Sequence, residues 1–260
     1  MTRPVLAFAH RGGAYHPEIE GLENTLAAFE HAVALGYTHL ETDVHVTRDG
    51  ALLAFHDDVL DRVTDSTGSI LDLTLQEVRG ARIAGDHQVP TLAELFDAFP
   101  DASFNIDLKS DGAGPALARF LDERGAHERV VVGSFGGRRL RAFRRLTGGK
   151  VATSAHPAEV AAYLLSPSLR LARLAIGDDF VAFQVPHRRI VRGRVLPIVT
   201  RRFVERAHRA GKQVHVWTID DPEEMRELLD LGVDGLMTDR TDLLRDVLAA
   251  RGQWPAGGGA

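Results

Sequence analysis

The feature that most narrows the fold is a rhythm of short apolar runs alternating with longer stretches of helical period. Residues 5–9 read as a buried strand ending on His10-Arg11-Gly12-Gly13. Leu26, Phe29 and Val33 then recur at helical spacing, and Gly36 stands where a C-cap belongs. Residues 38–44 are the second strand, 104–108 the third, 130–134 the fourth and 150–153 the fifth. The sixth, seventh and eighth fall at 180–184, 213–217 and 233–237. Helical patterns at 115–124, 138–146, 158–165 and 243–251 lie among them, with two more opened by Thr200 and Asp220. Strand and helix in alternation require a parallel sheet with crossovers. Eight such units in about 250 residues is the size of a closed (β/α)8 TIM barrel. An open doubly wound sheet would want a glycine-rich dinucleotide turn after the first strand, and His10-Arg11-Gly12-Gly13 does not match it.

The rhythm lapses once. Residues 45–90 hold a hairpin turning at Arg48-Asp49-Gly50, polar loops and a short helix near 75–79, and read as an insertion within a single domain of residues 1–251. It resumes at Thr91, where Glu94 three residues on completes a capping box. Residues 166–177 show no clear pattern, and the glycine-rich tail 252–260 is expected to be disordered.

Composition excludes several functions. The net charge of −5 argues against non-specific nucleic-acid binding. With no cysteine there is no disulfide, thiolate zinc site or cysteine nucleophile, which suits a reducing compartment. No apolar run reaches the ~20 residues of a membrane span, and the short lead into the first strand leaves no room for a signal peptide, so a cytoplasmic protein without membrane insertion is expected. Nothing in the sequence sets the oligomeric state.

In a barrel the carboxyl ends of the strands share one mouth. Strand one delivers His10 and Arg11, strand two Glu41 and Asp43, and strand three Asp107 and Lys109. Residues two apart share a face, so Glu41 with Asp43, and Asp107 with Lys109, point the same way. Carboxylates clustered at low dielectric need a counter-ion, and all-oxygen ligation favours Mg²⁺ or Ca²⁺. His56 follows the hairpin that springs from strand two. Two imidazoles of unperturbed pKa about 6.5 could pass protons to and from a phosphodiester, with Arg11 offsetting charge on its oxygens. The two glycines would leave room for that diester at the mouth. Trp217, ending strand seven, could floor a glycerol pocket, or simply pack the barrel end. His45 could support the site from the same face as Asp43, whereas His215 reads as a buried core histidine.

These residues stand in an order that resembles the glycerophosphodiester phosphodiesterase family, whose barrels are phosphatidylinositol-phosphodiesterase-like. The resemblance rests on His10-Arg11-Gly12, Glu23-Asn24-Thr25, Glu41-Thr42-Asp43-Val44, Thr47-Arg48-Asp49-Gly50, His56-Asp57, Asp107-Leu108-Lys109, Val216-Trp217-Thr218 and the run from Gly232 to Asp239, and so spans nearly the whole chain. It implies a (β/α)8 barrel with an insertion after strand two, and hydrolysis of small-molecule glycerophosphodiesters to glycerol 3-phosphate and an alcohol. It makes His10 and His56 the acid/base pair, Glu41, Asp43 and Asp107 the ligands of one divalent cation, and Arg11 and Lys109 the phosphate contacts. Glu23 and Asn24 would hold the strand-one loop. Most members carry glutamate where this chain has Asp107. The related venom phospholipase D toxins carry aspartate there and give a cyclic phosphate from choline lipids, so a lyase acting on lysophospholipids is an alternative, ranked lower because those toxins depend on cysteines that this chain lacks. A barrel that only binds phosphorylated ligands is a third reading, against which the two proton-transfer groups speak.

Overall fold

A computed structural model describes residues 5–177, 179–191 and 193–254. The first repeat is β1 (Leu6–His10) and α1 (Leu26–Ala34), followed by β2 (His39–Val46), β3 (Leu52–Ala54), α2 (Leu75–Val78) and α3 (Leu92–Ala98). Next come β4 (Ser103–Leu108), α4 (Ala113–Arg124), β5 (Val130–Gly133), α5 (Gly137–Thr147), β6 (Ala152–Thr153), α6 (Pro157–Leu165) and α7 (Leu169–Ile176). The last part runs β7 (Ala182–Pro186), β8 (Arg188–Val191), β9 (Arg194–Pro197), α8 (Arg201–Arg209), β10 (Gln213–Trp217), α9 (Pro222–Leu231), β11 (Gly235–Thr238) and α10 (Thr241–Ala250).

Eight of these strands run parallel in the order β6-β5-β4-β2-β1-β11-β10-β7. A parallel bridge from Ser154 to Ala182 joins the two ends of that order, with the Ala155 amide donating to the Ala182 carbonyl at 2.9 Å. The result is the expected (β/α)8 barrel. Its outer faces pack on the helices through Leu40, Phe104, Ile106, Phe183 and Leu236, all buried. Inside, polar side chains take the place of some of the apolar layers usual in such barrels. Gln184 donates to Asn105 at 2.6 Å, and His215 bonds Gln213 at 3.0 Å.

Register builds the mouth. His10 lies opposite Glu41 across the β1–β2 pair, and Asp43 opposite Asp107 across β2–β4. Between residues 45 and 90, β3 returns antiparallel to β2, and Phe55, Leu60, Ile70 and Ile83 form a small core separate from the main one. A capping box of Thr74 with Glu77 starts α2 there, and the expected one of Thr91 with Glu94 starts α3.

Four expectations change. The unpatterned stretch 166–177 contains α7, in which Ala172 is buried while Leu171 and Leu174 are exposed. Strands β8 and β9 form an antiparallel hairpin after β7 with no counterpart in the expected rhythm, because exposed Ile190, Val195 and Leu196 among arginines obscure the alternation. Helix α9 is capped by Asp221, while Asp220 accepts from the Thr238 hydroxyl at 2.9 Å and the Asp239 amide at 2.8 Å. Finally, residues 252–254 are ordered where disorder was expected, since Trp254 packs edge-on against Tyr37 at 5.0 Å. The remaining tail, 255–260, lies outside the described residues.

Candidate active site

His10 closes β1 with Nδ1 2.9 Å from Asp239 at the end of β11. A carboxylate can only accept, so the ring proton sits on Nδ1 and Nε2 is left toward the cavity, 3.8 Å from Glu41. His56 repeats the arrangement: its Nδ1 lies 2.5 Å from Asp57. Two histidines, each with one nitrogen fixed by a carboxylate, line a single cavity of about 600 Å³.

Between them sits the charged cluster. Lys109 places Nζ 2.8 Å from both Asp43 and Asp107, and Arg11 Nε lies 3.1 Å from Asp43. Arg62, from the segment after β3, donates to Asp57 at 2.6 Å and to Glu23 at 2.6 and 2.8 Å. Glu23 in turn lies 3.5 Å from Arg11. An unbroken series of opposite charges therefore runs from Asp57 through Arg62, Glu23, Arg11, Asp43 and Lys109 to Asp107.

The electrostatics follow from burial and partners. Burial lowers the pKa of His10, but the Glu41 carboxylate and the bond to Asp239 outweigh it and bring the ring to about 9. Burial, with Asp43 alongside, pushes Glu41 up to about 7. Burial works the same way on Asp43, yet Lys109 and Arg11 together hold its carboxyl below the ordinary value. Asp107 is raised by burial. Asp57 falls to about 2 because Arg62 and His56 overcome its partial burial.

This donor set fits a hard divalent cation. Glu41, Asp43 and Asp107 offer only oxygens, and Asp43 Oδ2, ion-paired with Arg11 Nε at 3.1 Å, is buried without an aligned hydrogen bond. A group whose ligand atoms already converge was not foreseen: His16, Glu18 and His31 bring theirs within 4.8 Å of one another beside α1. There the Glu18 amide donates to His16 Nδ1 at 3.2 Å, so the His16 proton rests on Nε2, 3.3 Å from His31.

The structure thus brings all eight expected residues, His10, Arg11, Glu41, Asp43, His56, Asp107, Lys109 and Trp217, to one cavity. Asn24 holds the strand-one loop: its side-chain oxygen accepts from the Thr42 hydroxyl at 2.7 Å, and its backbone N–H donates to the Arg11 carbonyl at 2.9 Å. His45 donates to the His56 carbonyl at 3.1 Å and so ties the returning loop to β2. The glycines need a different account from the one given above. A Cβ on Gly12 would stand 2.6 Å from Ala28, and one on Gly13 2.6 Å from Thr241, both at positive φ. They let the loop pack against α1 and α10; they do not widen the mouth. Sequence reasoning missed the roles of Asp57, Asp239 and Arg62. Adjacency to His56 was a signal for Asp57, and the end of strand eight was one for Asp239; Arg62 had none. Phe135, 5.7 Å edge-to-face from Trp217, was also missed.

Residues 10–243 match the family described as the glycerophosphoryl diester phosphodiesterase family. The chain is 39% identical to the "probable glycerophosphodiester phosphodiesterase 2" of Mycobacterium tuberculosis, over 96% of this chain and 92% of that protein. It is 29% identical to a glycerophosphodiester phosphodiesterase of Caldanaerobacter subterraneus, covering 95% and 99%. Among solved structures, an Oleispira antarctica phosphodiesterase in complex with the product sn-glycerol-3-phosphate superposes with a TM-score of 0.77 at 21% identity, covering 95% and 97%. No helix among the described residues is long and apolar enough to cross a membrane.

Proposed function

The chain belongs to the glycerophosphoryl diester phosphodiesterase family, and on that premise we propose that it hydrolyses glycerophosphodiesters to glycerol 3-phosphate and an alcohol. The observation that carries the reading is the pair of carboxylate-anchored histidines facing one cavity across a cluster of buried acids.

A bound diester places its phosphate between the two Nε2 atoms. One imidazole accepts a proton from water as the water oxygen bonds to phosphorus. The bond from phosphorus to the alcohol oxygen breaks, and the other imidazole supplies the proton that oxygen takes. Asp239 and Asp57 hold the rings in the required tautomer, as carboxylates do for catalytic histidines elsewhere. Arg11 and Lys109 line the cavity as donors to the non-bridging oxygens, where charge develops. Glu41, Asp43 and Asp107 would hold one Mg²⁺ or Ca²⁺, which supplies Lewis-acid stabilisation to the same oxygens when bound. Trp217 and Phe135 form an aromatic wall for the glycerol carbons.

The same reading takes residues 1–251 as one barrel domain with about 45–90 as its insertion, working in the cytoplasm, a setting that suits a chain without cysteine. The test is a panel of glycerophosphodiesters with Mg²⁺ or Ca²⁺, glycerol 3-phosphate being measured by a coupled assay and the products followed by phosphorus NMR. Stoichiometric glycerol 3-phosphate with no persistent cyclic phosphate is expected. A cyclic phosphate that accumulates would replace hydrolysis with internal transfer, and tight diester binding without product would leave only a binding barrel.

A further inference from the structure

Arg62 grips two carboxylates at once. Its Nε and Nη2 donate to Asp57 at 2.6 and 3.2 Å, and its Nη1 and Nη2 donate to Glu23 at 2.8 and 2.6 Å. Each contact is a two-point fork, which fixes the plane of the carboxylate as well as its distance. Exposed ion pairs usually contribute little, and forked pairs joined into a network are the exception. The guanidinium is half-exposed, while both carboxylates are largely covered. None of the three side chains lines the cavity.

The two carboxylates belong to the two arms of the site. Asp57 Oδ1 meets Nδ1 of His56, and the same carboxylate is clamped from its other edge by Arg62. Glu23 lies 3.5 Å from the Arg11 guanidinium and directly precedes Asn24, whose backbone N–H donates to the Arg11 carbonyl. Arg11 itself follows His10 at the end of β1. Among the described strands, β1 and β3 each pair with β2 and not with each other, so no backbone ladder joins the arms. Arg62 supplies the missing cross-link. Its mount is firm: Leu60 is buried in the small core, its amide donates to the Gly68 carbonyl at 3.0 Å, and its carbonyl accepts from the Thr64 hydroxyl at 2.8 Å.

We propose that Arg62 is a positioning residue, a clasp from the segment after β3 that sets the spacing and orientation of His56 relative to His10 and Arg11. The inference rests on the diesterase reading above. Without the guanidinium, Asp57 and Glu23 face each other as like charges, and the two arms part. The loss falls on alignment and not on binding, because Arg62 stands outside the cavity.

The experiment measures kcat and KM on glycerophosphocholine for the full chain with Mg²⁺ or Ca²⁺. Nitrogen NMR of the labelled histidine rings is recorded in parallel, His56 being assigned by its loss in His56→Ala. Arg62→Gln should lower kcat by about 10²-fold, the scale of a misalignment near 1 Å. KM should stay within about twofold, as for a group that does not touch substrate. Arg62→Lys should recover only part of the loss, since one ammonium cannot fork two carboxylates. Guanidinium ion at a non-denaturing concentration should restore Arg62→Ala. Glu23→Gln opens the clasp from its other side and is the second variant if circular dichroism shows that Arg62→Gln is misfolded. Added to Arg62→Gln it should cost no more than about twofold further, because the two act as one unit. The His56 ring, held as its Nδ1–H tautomer, should move toward the Nε2–H form in Arg62→Gln. Near wild-type kcat in Arg62→Gln overturns the clasp, as does a raised KM at unchanged kcat, which would put Arg62 on the substrate. Fully additive losses overturn it as well, since Arg62 and Glu23 would then act apart. If the wild-type chain hydrolyses no diester, the diesterase reading falls by itself, and an unchanged His56 tautomer in Arg62→Gln would still overturn the clasp.

Discussion

The two sides of the barrel mouth are built on opposite principles. Strands β1, β2 and β4 present charge against charge: Asp43 alone meets Lys109 at 2.8 Å and Arg11 at 3.1 Å while its side chain is only 3% exposed. Across the opening, the elements from β5 to β10 present Phe135, Trp217, Val160 and Ile198, with Arg189 as their one charged contribution to the cavity among the described residues. The first side performs chemistry at a fixed point and cannot tolerate a missing partner. The second defines a surface, and surfaces tolerate change. A charge removed from the first side leaves another charge buried and unpaired, whereas an apolar group removed from the second costs only its own contact area.

The strongest way to break this contrast is at the histidines. His10→Ala and His56→Ala should each lower kcat by about 10²–10⁴-fold, the usual worth of a positioned acid or base, with the fold intact by circular dichroism. Near wild-type turnover in either variant would remove the acid/base assignment. Divalent-cation removal by chelation should silence the charged side as a unit, with activity restored by adding back Mg²⁺ or Ca²⁺; full activity in chelator would sink the cation proposal.

Next in size is Asp43→Asn, which leaves Lys109 and Arg11 short of a buried partner. Urea denaturation should show a loss of about 3–5 kcal/mol, the range for breaking one member of a buried ion pair. A loss below ~1 kcal/mol would mean that the cluster is solvated in solution.

Burial makes histidines on the apolar side sensitive to acid, His215 most of all. Burial holds His215 down to about 4, against about 6.5 in an unfolded chain. Between those two values the unfolded chain binds a proton that the folded one does not, so stability is full above about pH 6.5 and is lost as pH falls toward 4. The effect is on the order of a few kcal/mol, read as a falling melting temperature, and His215→Gln should flatten that decline. An unchanged decline would assign the acid lability to another group. The smallest effect is expected for Trp217→Ala. Loss of its edge-to-face contact with Phe135 should raise KM by up to about tenfold with little change in kcat, given ~0.5–1.5 kcal/mol for an aromatic pair.

The sequence by itself determined the elements and the chemistry they carry. Periodicity gave the eight parallel strands to within a few residues, since side-chain spacing along a strand or helix is a local property. Spacing of two fixed Glu41 with Asp43, and Asp107 with Lys109, on shared faces for the same reason. Only tertiary structure decided which groups meet. His10 and Asp239 are 229 residues apart, and nothing near either one specifies the other; barrel register does. Arg62 reaches Glu23 across 39 residues through a loop whose path depends on the small core beneath it. The glycines after His10 show the division most plainly. Their presence was legible, but their reason, contact with Ala28 and Thr241 on two different helices, exists only once the ring has closed and brought the first and last helices to the same loop.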